Sequence, residues 1–411
     1  MPAIGPFFTG AKQLSIDLTE PVVYLRGYSG DRTTHVIQGE VSVVLTKPIV
    51  ATQVVIRFVG KSHILWPEGV GPRGNIVYHE KVIHEQNIIL QSFLPHTEGT
   101  LPVGLHRWPF QFLISNQLVE TIEDECGKVS YSMIATVHRV GVAATKLRAR
   151  RDILLLRTPH WSDSALTSNT LPSTSILSER KLDLCDASIL IEKSSCSSGT
   201  QLPITLCLSP NVKQVFLESL SVVLTERRVY KLPEYQARRV EHHDFKLVLA
   251  SVSSLVDPTL FQHQQLMSSK EMHKSLVVRQ AHIPLDASFR HRLIYNMPNC
   301  VNLNHSSTFS EIYIQHSLKI QIEVSLGDEV RTIMLDTPMT VLDCRLKADY
   351  NILPTYEESL LCSAVEQEQE KDTTFLLCPC YIEYKKTNKC SQRDWMKLRS
   401  HSSPPPSYNT L

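Results

Sequence analysis

Alternation with a period of two runs through most of the chain. A strand sends successive side chains to opposite faces, so apolar residues at every second position predict a half-buried strand. Leu14, Ile16 and Leu18 alternate with Ser15, Asp17 and Thr19. Val54, Ile56 and Phe58 make a second row, and Trp108, Phe110, Phe112 and Ile114 a third. Val129, Tyr131, Met133, Ala135 and Val137 follow. In the second half, Leu202, Ile204, Leu206 and Leu208 repeat the pattern. Leu318, Ile320, Ile322, Val324 and Leu326 then stand against Lys319, Gln321, Glu323 and Ser325. Strands with one buried and one wet face belong to antiparallel sandwiches rather than to a parallel α/β sheet. Long helical periodicity is scarce before position 355. Lys213–Leu224 and Phe245–Val256 are ambiguous, and their β-branched content favours strands.

Two breaks divide the chain. Between Trp161 and Ser178 it reads Ser, Thr, Asn and Pro with no alternation, the composition of a linker. After Leu346 the alternation stops, and the remainder is Glu/Gln-rich, then Lys- and Cys-containing, ending in Ser402-Ser-Pro-Pro-Pro-Ser-Tyr-Asn-Thr-Leu411. That stretch has too little apolar surface to fold alone and is expected to be largely disordered, with a short helix compatible with Glu357–Lys371. The predicted organisation is all-β. Two tandem antiparallel immunoglobulin-like sandwiches occupy 1–160 and 181–346, joined by a Ser/Thr-rich linker at 161–180 and followed by a tail at 347–411.

Composition narrows the function. The 411 residues carry 42 Lys plus Arg against 41 Asp plus Glu, a formal charge of +1. A globally basic nucleic-acid binder is excluded, and any attraction to phosphate must be local. No run of 18 apolar residues predicts a membrane helix. The opening Met1-Pro-Ala-Ile-Gly-Pro-Phe-Phe lacks the basic and apolar regions of a secretory signal, so a cytoplasmic location is expected. There the ten cysteines are expected as reduced thiols.

Signals for an enzyme are poor. Gly69-Val-Gly71-Pro-Arg-Gly74 spells GxGxxG, but a dinucleotide site needs a helix after the motif, and Asn75-Ile-Val-Tyr reads as a strand. A hairpin loop is the better reading. Gly27-Tyr-Ser-Gly30 is one residue out of register for a nucleophile elbow and reads as a turn. Cys378-Pro-Cys380, with Cys362 and Cys390 nearby, lacks the paired Cys-x2-4-Cys spacing of a zinc site. No catalytic residue, cofactor or metal is assigned.

Two features carry interaction chemistry. On a strand, Lys146, Arg148 and Arg150 share a face, with Arg151 beside them. Such a row suits an anionic lipid surface or an acidic or phosphorylated cargo tail, or simply guards an edge strand against sheet-to-sheet pairing. The tail holds a sharper signal. Pro405-Pro406-Ser407-Tyr408 is a PPxY motif, and Leu353-Pro354-Thr355-Tyr356 is its LPxY variant. Prolines pre-set a polyproline II helix that docks in an aromatic groove of a WW domain, and the tyrosine fills a second pocket. Tyr356 and Tyr408 lie 52 residues apart. A flexible chain of that length spans roughly 40 Å, enough to bridge two WW domains of one partner. A third LPxY, Leu232-Pro233-Glu234-Tyr235, falls between predicted strands and reads as a structural loop.

Together these features resemble an arrestin-related trafficking adaptor, an α-arrestin of the fungal type. Gly99 to Phe112, with Leu101-Pro102, Gly104 and Pro109-Phe110, is similar to the family's first-domain signature, and Gly127 to Arg139 to the strand that follows. Ile314 to Ile320 resembles a late strand of the second domain, and Pro338 to Leu342 its closing strand. The first tail motif departs from the family in carrying Leu353 where proline is commoner. The resemblance implies a non-enzymatic adaptor. Its sandwiches would recognise cytosolic tails of plasma-membrane transporters or receptors. Its tail would bring a WW-domain HECT-type ubiquitin ligase, leading to cargo ubiquitination and endocytosis. The adaptor would itself carry ubiquitin, with peripheral recruitment to plasma membrane and endosomes. Within the same resemblance, an arrestin-like scaffold of ambient-pH signalling at the membrane is the alternative, and a retromer-type coat subunit, which shares the two-sandwich shape, is another. The linker serines and threonines read equally as phosphorylation sites or as an inert polar spacer.

Overall fold

A computed structural model describes residues 13–27, 29–70, 75–93, 99–139, 146–158, 175–255, 267–278, 281–285 and 289–346. These fall into two compact units, 13–158 and 175–346. Both are β-sandwiches.

The first unit contains β1 (Gln13–Leu18), β2 (Val22–Arg26), β3 (Thr34–Leu45), β4 (Ile49–Val70), β5 (Asn75–Ser92), β6 (Gly99–Leu101), β7 (Gly104–Ser115), β8 (Ile122–Glu123), β9 (Gly127–Arg139) and β10 (Leu147–Thr158). One sheet runs β1-β3-β7 and the other β2-β10-β9-β4-β5. The alternating rows land as expected. Val54, Ile56 and Phe58 are fully buried, as are Phe112 and Met133. Phe58 on the larger sheet meets Phe112 on the smaller one at 6.1 Å between ring centroids, which closes the sandwich. Gly60 makes room for the core aromatics. A Cβ there would lie 2.4 Å from the Tyr131 ring on the facing strand. The open space lets Tyr131 lie stacked on Phe58 at 5.6 Å. Val70 pairs with Asn75, and residues 71–74 of the glycine motif lie outside the described residues. Gly27, at φ 67, starts the turn between β2 and β3.

The second unit contains β11 (Ile176–Lys181), β12 (Cys185–Ile191), β13 (Ser195–Ser197), β14 (Gln201–Pro210), β15 (Val215–Leu232), β16 (Ala237–Lys246), β17 (Val248–Ser254), the helix Ser269–Val277, β18 (Ile283–Pro284), β19 (Phe289–Asn296), β20 (Ser307–Thr308), β21 (Ile312–Leu326) and β22 (Glu329–Leu342). Its sheets run β11-β12-β14-β19-β17 and β13-β22-β21-β15-β16. Leu318, Ile320, Ile322 and Val324 point into the core. Both ambiguous stretches are strands, the second broken at the buried Leu247.

Three details differ from expectation. Each unit holds one parallel pairing, β2 with β10 and β13 with β22, so the sandwiches are not antiparallel throughout. In both cases the final strand sits between an early strand and the one before it. Strand β11 starts at Ile176, inside the stretch read as linker, and pairs with β12 through Ile176, Leu177 and their neighbours. The helix Ser269–Val277 was not anticipated. It is too short to show periodicity, yet Ser268 and Glu271 form a full capping box, and Met272 and Leu276 are buried.

Candidate functional site

The tail residues Leu353, Pro354, Tyr356, Pro405, Pro406 and Tyr408 lie outside the described residues, as do the tail cysteines. The third LPxY sequence is described. Leu232 is fully buried, Pro233–Tyr235 forms one 3-10 turn, and Gln236 takes a left-handed conformation before β16. This is a hairpin turn whose leucine is already committed to the core.

The basic strand divides. Arg148 and Arg150 are exposed on the outward face of β10, with Lys146 exposed just before it. Arg150 Nε donates to Asp152 at 3.0 Å. Arg151 is half-buried on the opposite face, across from the buried Met133. Residues 147–152 pair with β9 on one side, while β2 covers the other side only from Leu154 onward. The open stretch is thus an edge bearing cations, and Arg148 has no carboxylate partner among the described residues. Around it the outward face is mixed in sign. Arg57 pairs with Glu85, Lys61 with Glu80, and Lys128 lies near His63. Burial, opposed by Glu80, holds His63 below its usual value. Exposed pairs of this kind contribute roughly 0–1 kcal/mol each, so this face is open to exchange partners.

Buried polar frameworks sit in both units, and no sequence motif announced them. In the first unit, the Arg157 guanidinium meets Glu120 at 3.0 Å and donates to the carbonyls of Gly27, Asn116 and Leu118. Asn116 is fully buried. Its Oδ1 accepts the Arg26 amide at 2.9 Å and its Nδ2 donates to the Arg26 carbonyl at 2.7 Å. In the second unit, the fully buried Glu226 carboxylate takes Arg228, His316 at 3.1 Å and the Asn304 amide at 2.8 Å. Burial opposes its charge, yet His316, Arg228 and that amide together hold the carboxyl below its ordinary value. Burial also holds His316 below the usual histidine range despite Glu226. A neutral imidazole then donates from Nε2 to Glu226 and accepts at Nδ1 from Ser306 Oγ, 2.8 Å away. Ser306 Oγ in turn accepts the Val341 amide at 2.9 Å.

Serine, histidine and carboxylate in sequence mimic a nucleophile array, but the chemistry points elsewhere. The base and acid are sealed in the core, and the hydroxyl is held at both ends. This is a tie that fastens the loop before β20 to the end of β22. Among the described residues no group of three or more His, Cys, Asp or Glu could hold a metal. Burial pushes the Cys185 thiol up to about 11 and the Cys196 thiol up to about 12, so neither offers a thiolate.

Comparison with known proteins fits this architecture. Residues 20–158 match the family described as arrestin (or S-antigen), N-terminal domain. This unit has the arrestin-like fold. The chain is similar to a putative arrestin-related trafficking adapter of Schizosaccharomyces pombe, at 24% identity over 92% of this chain and 60% of that protein. It thus spans about three-fifths of that relative's length. It is also similar to arrestin-related trafficking adapter 3 of Saccharomyces cerevisiae, at 23% identity over 62% of this chain and 24% of that protein. A probable HECT-type ubiquitin ligase-interacting protein of Aspergillus clavatus matches at 22% identity over 59% of this chain and 38% of its own length. No helix among the described residues is long and apolar enough to cross a membrane.

Proposed function

We propose that the chain is a non-enzymatic adaptor that brings a WW-domain HECT-type ubiquitin ligase to plasma-membrane transporters or receptors. Their ubiquitination and endocytosis follow, and the adaptor carries ubiquitin as well. The observation that carries this reading is Pro405-Pro406-Ser407-Tyr408 on a chain similar to trafficking adapters. The similarity to a protein named for interaction with a HECT-type ligase supports the kind of partner. The sandwiches would present the cargo-reading surface, with Lys146, Arg148 and Arg150 on the open part of β10 as contacts for acidic cargo or lipid, and Arg151 supporting that strand from its other face. Recruitment to plasma membrane and endosomes would be peripheral.

The test is binding of the full chain to a panel of WW domains from HECT ligases. Tyr408→Ala should weaken binding about tenfold or more, and Tyr356→Ala less, because Leu353 replaces the first proline. Against a ligase with two WW domains, the double change should remove an avidity gain on the order of a hundredfold. No binding of the wild-type chain to any WW domain overturns the proposal.

A further inference from the structure

The hairpin of β15 and β16 carries an unbalanced charge. Its outward face bears Arg227, Lys231, Arg238 and Lys246, since Arg227 pairs with His242 and Lys231 with Arg238 across the strands. A single carboxylate, Asp244, shares that face, and Thr225 already holds it at 2.7 Å. None of these four cations has a carboxylate partner among the described residues. The opposite face is balanced by comparison, with Arg239 on Glu241 and Arg228 on Glu226.

Strand β16 is also the end of its sheet, pairing only with β15 among the described residues. One row of its backbone donors and acceptors therefore has no strand partner among the described residues, a template for an added strand. An extended acidic peptide with carboxylates at alternate positions would match it. It would complete the ladder and set its charges beside the cations.

The chain holds such a segment. Val365-Glu366-Gln367-Glu368-Gln369-Glu370 alternates Glu with neutral residues, and Asp372 follows. Extended, rather than in the short helix with which Glu357–Lys371 is also compatible, it puts three carboxylates on one face, about 6.7 Å apart. The sheet register puts the end of β22, from which this segment is tethered, within reach of β16. Met339 of β22 pairs with His316, His316 with Glu226, and Glu226 with His243 of β16. The end of β22 is thus three strand spacings from β16, roughly 14 Å. The 20 residues from Leu346 to Glu366 span roughly 25 Å as a flexible chain.

We propose that the open edge and outward face of β16 dock residues 364–372 of this same chain as an added strand. The tether makes the contact intramolecular, with an effective concentration in the millimolar range. Docking would hold Tyr356 close to the sandwich and compete with a WW domain for the segment around it.

Amide hydrogen exchange on the full chain tests this. Glu366→Gln, Glu368→Gln and Glu370→Gln together should speed exchange of the β16 amides at least fivefold, and 1 M salt should do the same to the wild type. Arg238→Glu should reproduce the loss, and combining it with Glu368→Arg should restore protection. A labelled peptide of residues 364–372 should bind the triple variant at least tenfold more tightly than wild type, whose own tail occupies the edge. Equal β16 exchange in wild type and triple variant at low salt overturns the proposal. Equal peptide affinity for both also overturns it, marking the edge as a site for an acidic chain from elsewhere. Vesicles of phosphatidylcholine and phosphatidylserine that protect β16 equally in both proteins overturn it in favour of a lipid surface.

Discussion

The two sandwiches share a plan and invert its electrostatics. In each, the final strand, β10 or β22, lies between a parallel early strand and an antiparallel one. In each, a buried polar framework ties the end of that strand to the loop before a two-residue strand, β8 or β20. The hub of the first is a cation, Arg157, which satisfies three backbone carbonyls and one carboxylate. The hub of the second is an anion, Glu226, which collects a guanidinium, an imidazole and an amide. The same mechanical task, pinning a loop to a closing strand, is thus met by either charge when its partners are pre-arranged. The second solution is deeper, since Glu226 and His316 have no exposed side-chain surface, whereas Arg157 keeps 18%.

The sharpest way to break the comparison is Glu226→Gln. It removes the anion and takes from the buried Arg228 the carboxylate it is paired with. Losing one partner of a buried ion pair costs about 3–5 kcal/mol. For a unit of this size that lowers the melting temperature by roughly 10 °C. Calorimetry of the full chain checks it, and a loss below about 1 kcal/mol means Glu226 is not the hub.

A smaller effect is expected from Arg157→Lys. Lysine keeps the charge but not the planar fork that reaches Glu120 and several carbonyls at once. Stranding two of those buried acceptors costs about 2–3 kcal/mol. Hydrogen exchange gives the local readout. The Leu155 and Thr121 amides, which bond across this region, should exchange faster, while the Val341 amide should not change. Equal acceleration at both places would mean the two frameworks do not act within their own units.

The alternating rows made the sheets legible, because burial on one face leaves a period-two trace at every strand. The parallel pairs did not show, since a strand such as Ser195–Ser197 is too short to carry a period. The helix Ser269–Val277 was legible only as Ser268 followed by Glu271, a cap without a visible stripe. The frameworks were least legible. Glu226 and Arg228 occupy core positions of β15 that alternation assigns to apolar residues, and their partners lie far off in sequence, His316 at a separation of 90 residues. Only a polar break in an apolar row, Leu224-Thr-Glu226-Arg-Arg228-Val-Tyr230, marks the place. The tail motifs rest on the sequence alone, since they are read as linear peptides and lie outside the described residues.

The smallest expected effect concerns acid, and its sign follows from the hub. His316 is held below its ordinary value by burial, so it is neutral in the fold. The unfolded chain takes up that proton near pH 6.5. Below that pH the unfolded state therefore binds more protons, and stability falls as pH drops from 7 to 5. Glu226 acts in a lower window. Its carboxyl lies below the ordinary range, so its contribution is complete above about pH 4.5 and is lost as pH falls through the folded value. His316→Gln keeps an amide donor for Glu226 and removes the proton uptake. The variant should be less stable at pH 7, yet lose less between pH 7 and 5 than the wild type. The slope that remains would come from other histidines such as the half-buried His84 and the buried His291, both held low by desolvation. Melting the two proteins at pH 5, 6 and 7 decides it. Parallel curves would show that His316 carries a proton in the fold, making the hub of the second sandwich a carboxylate between two cations.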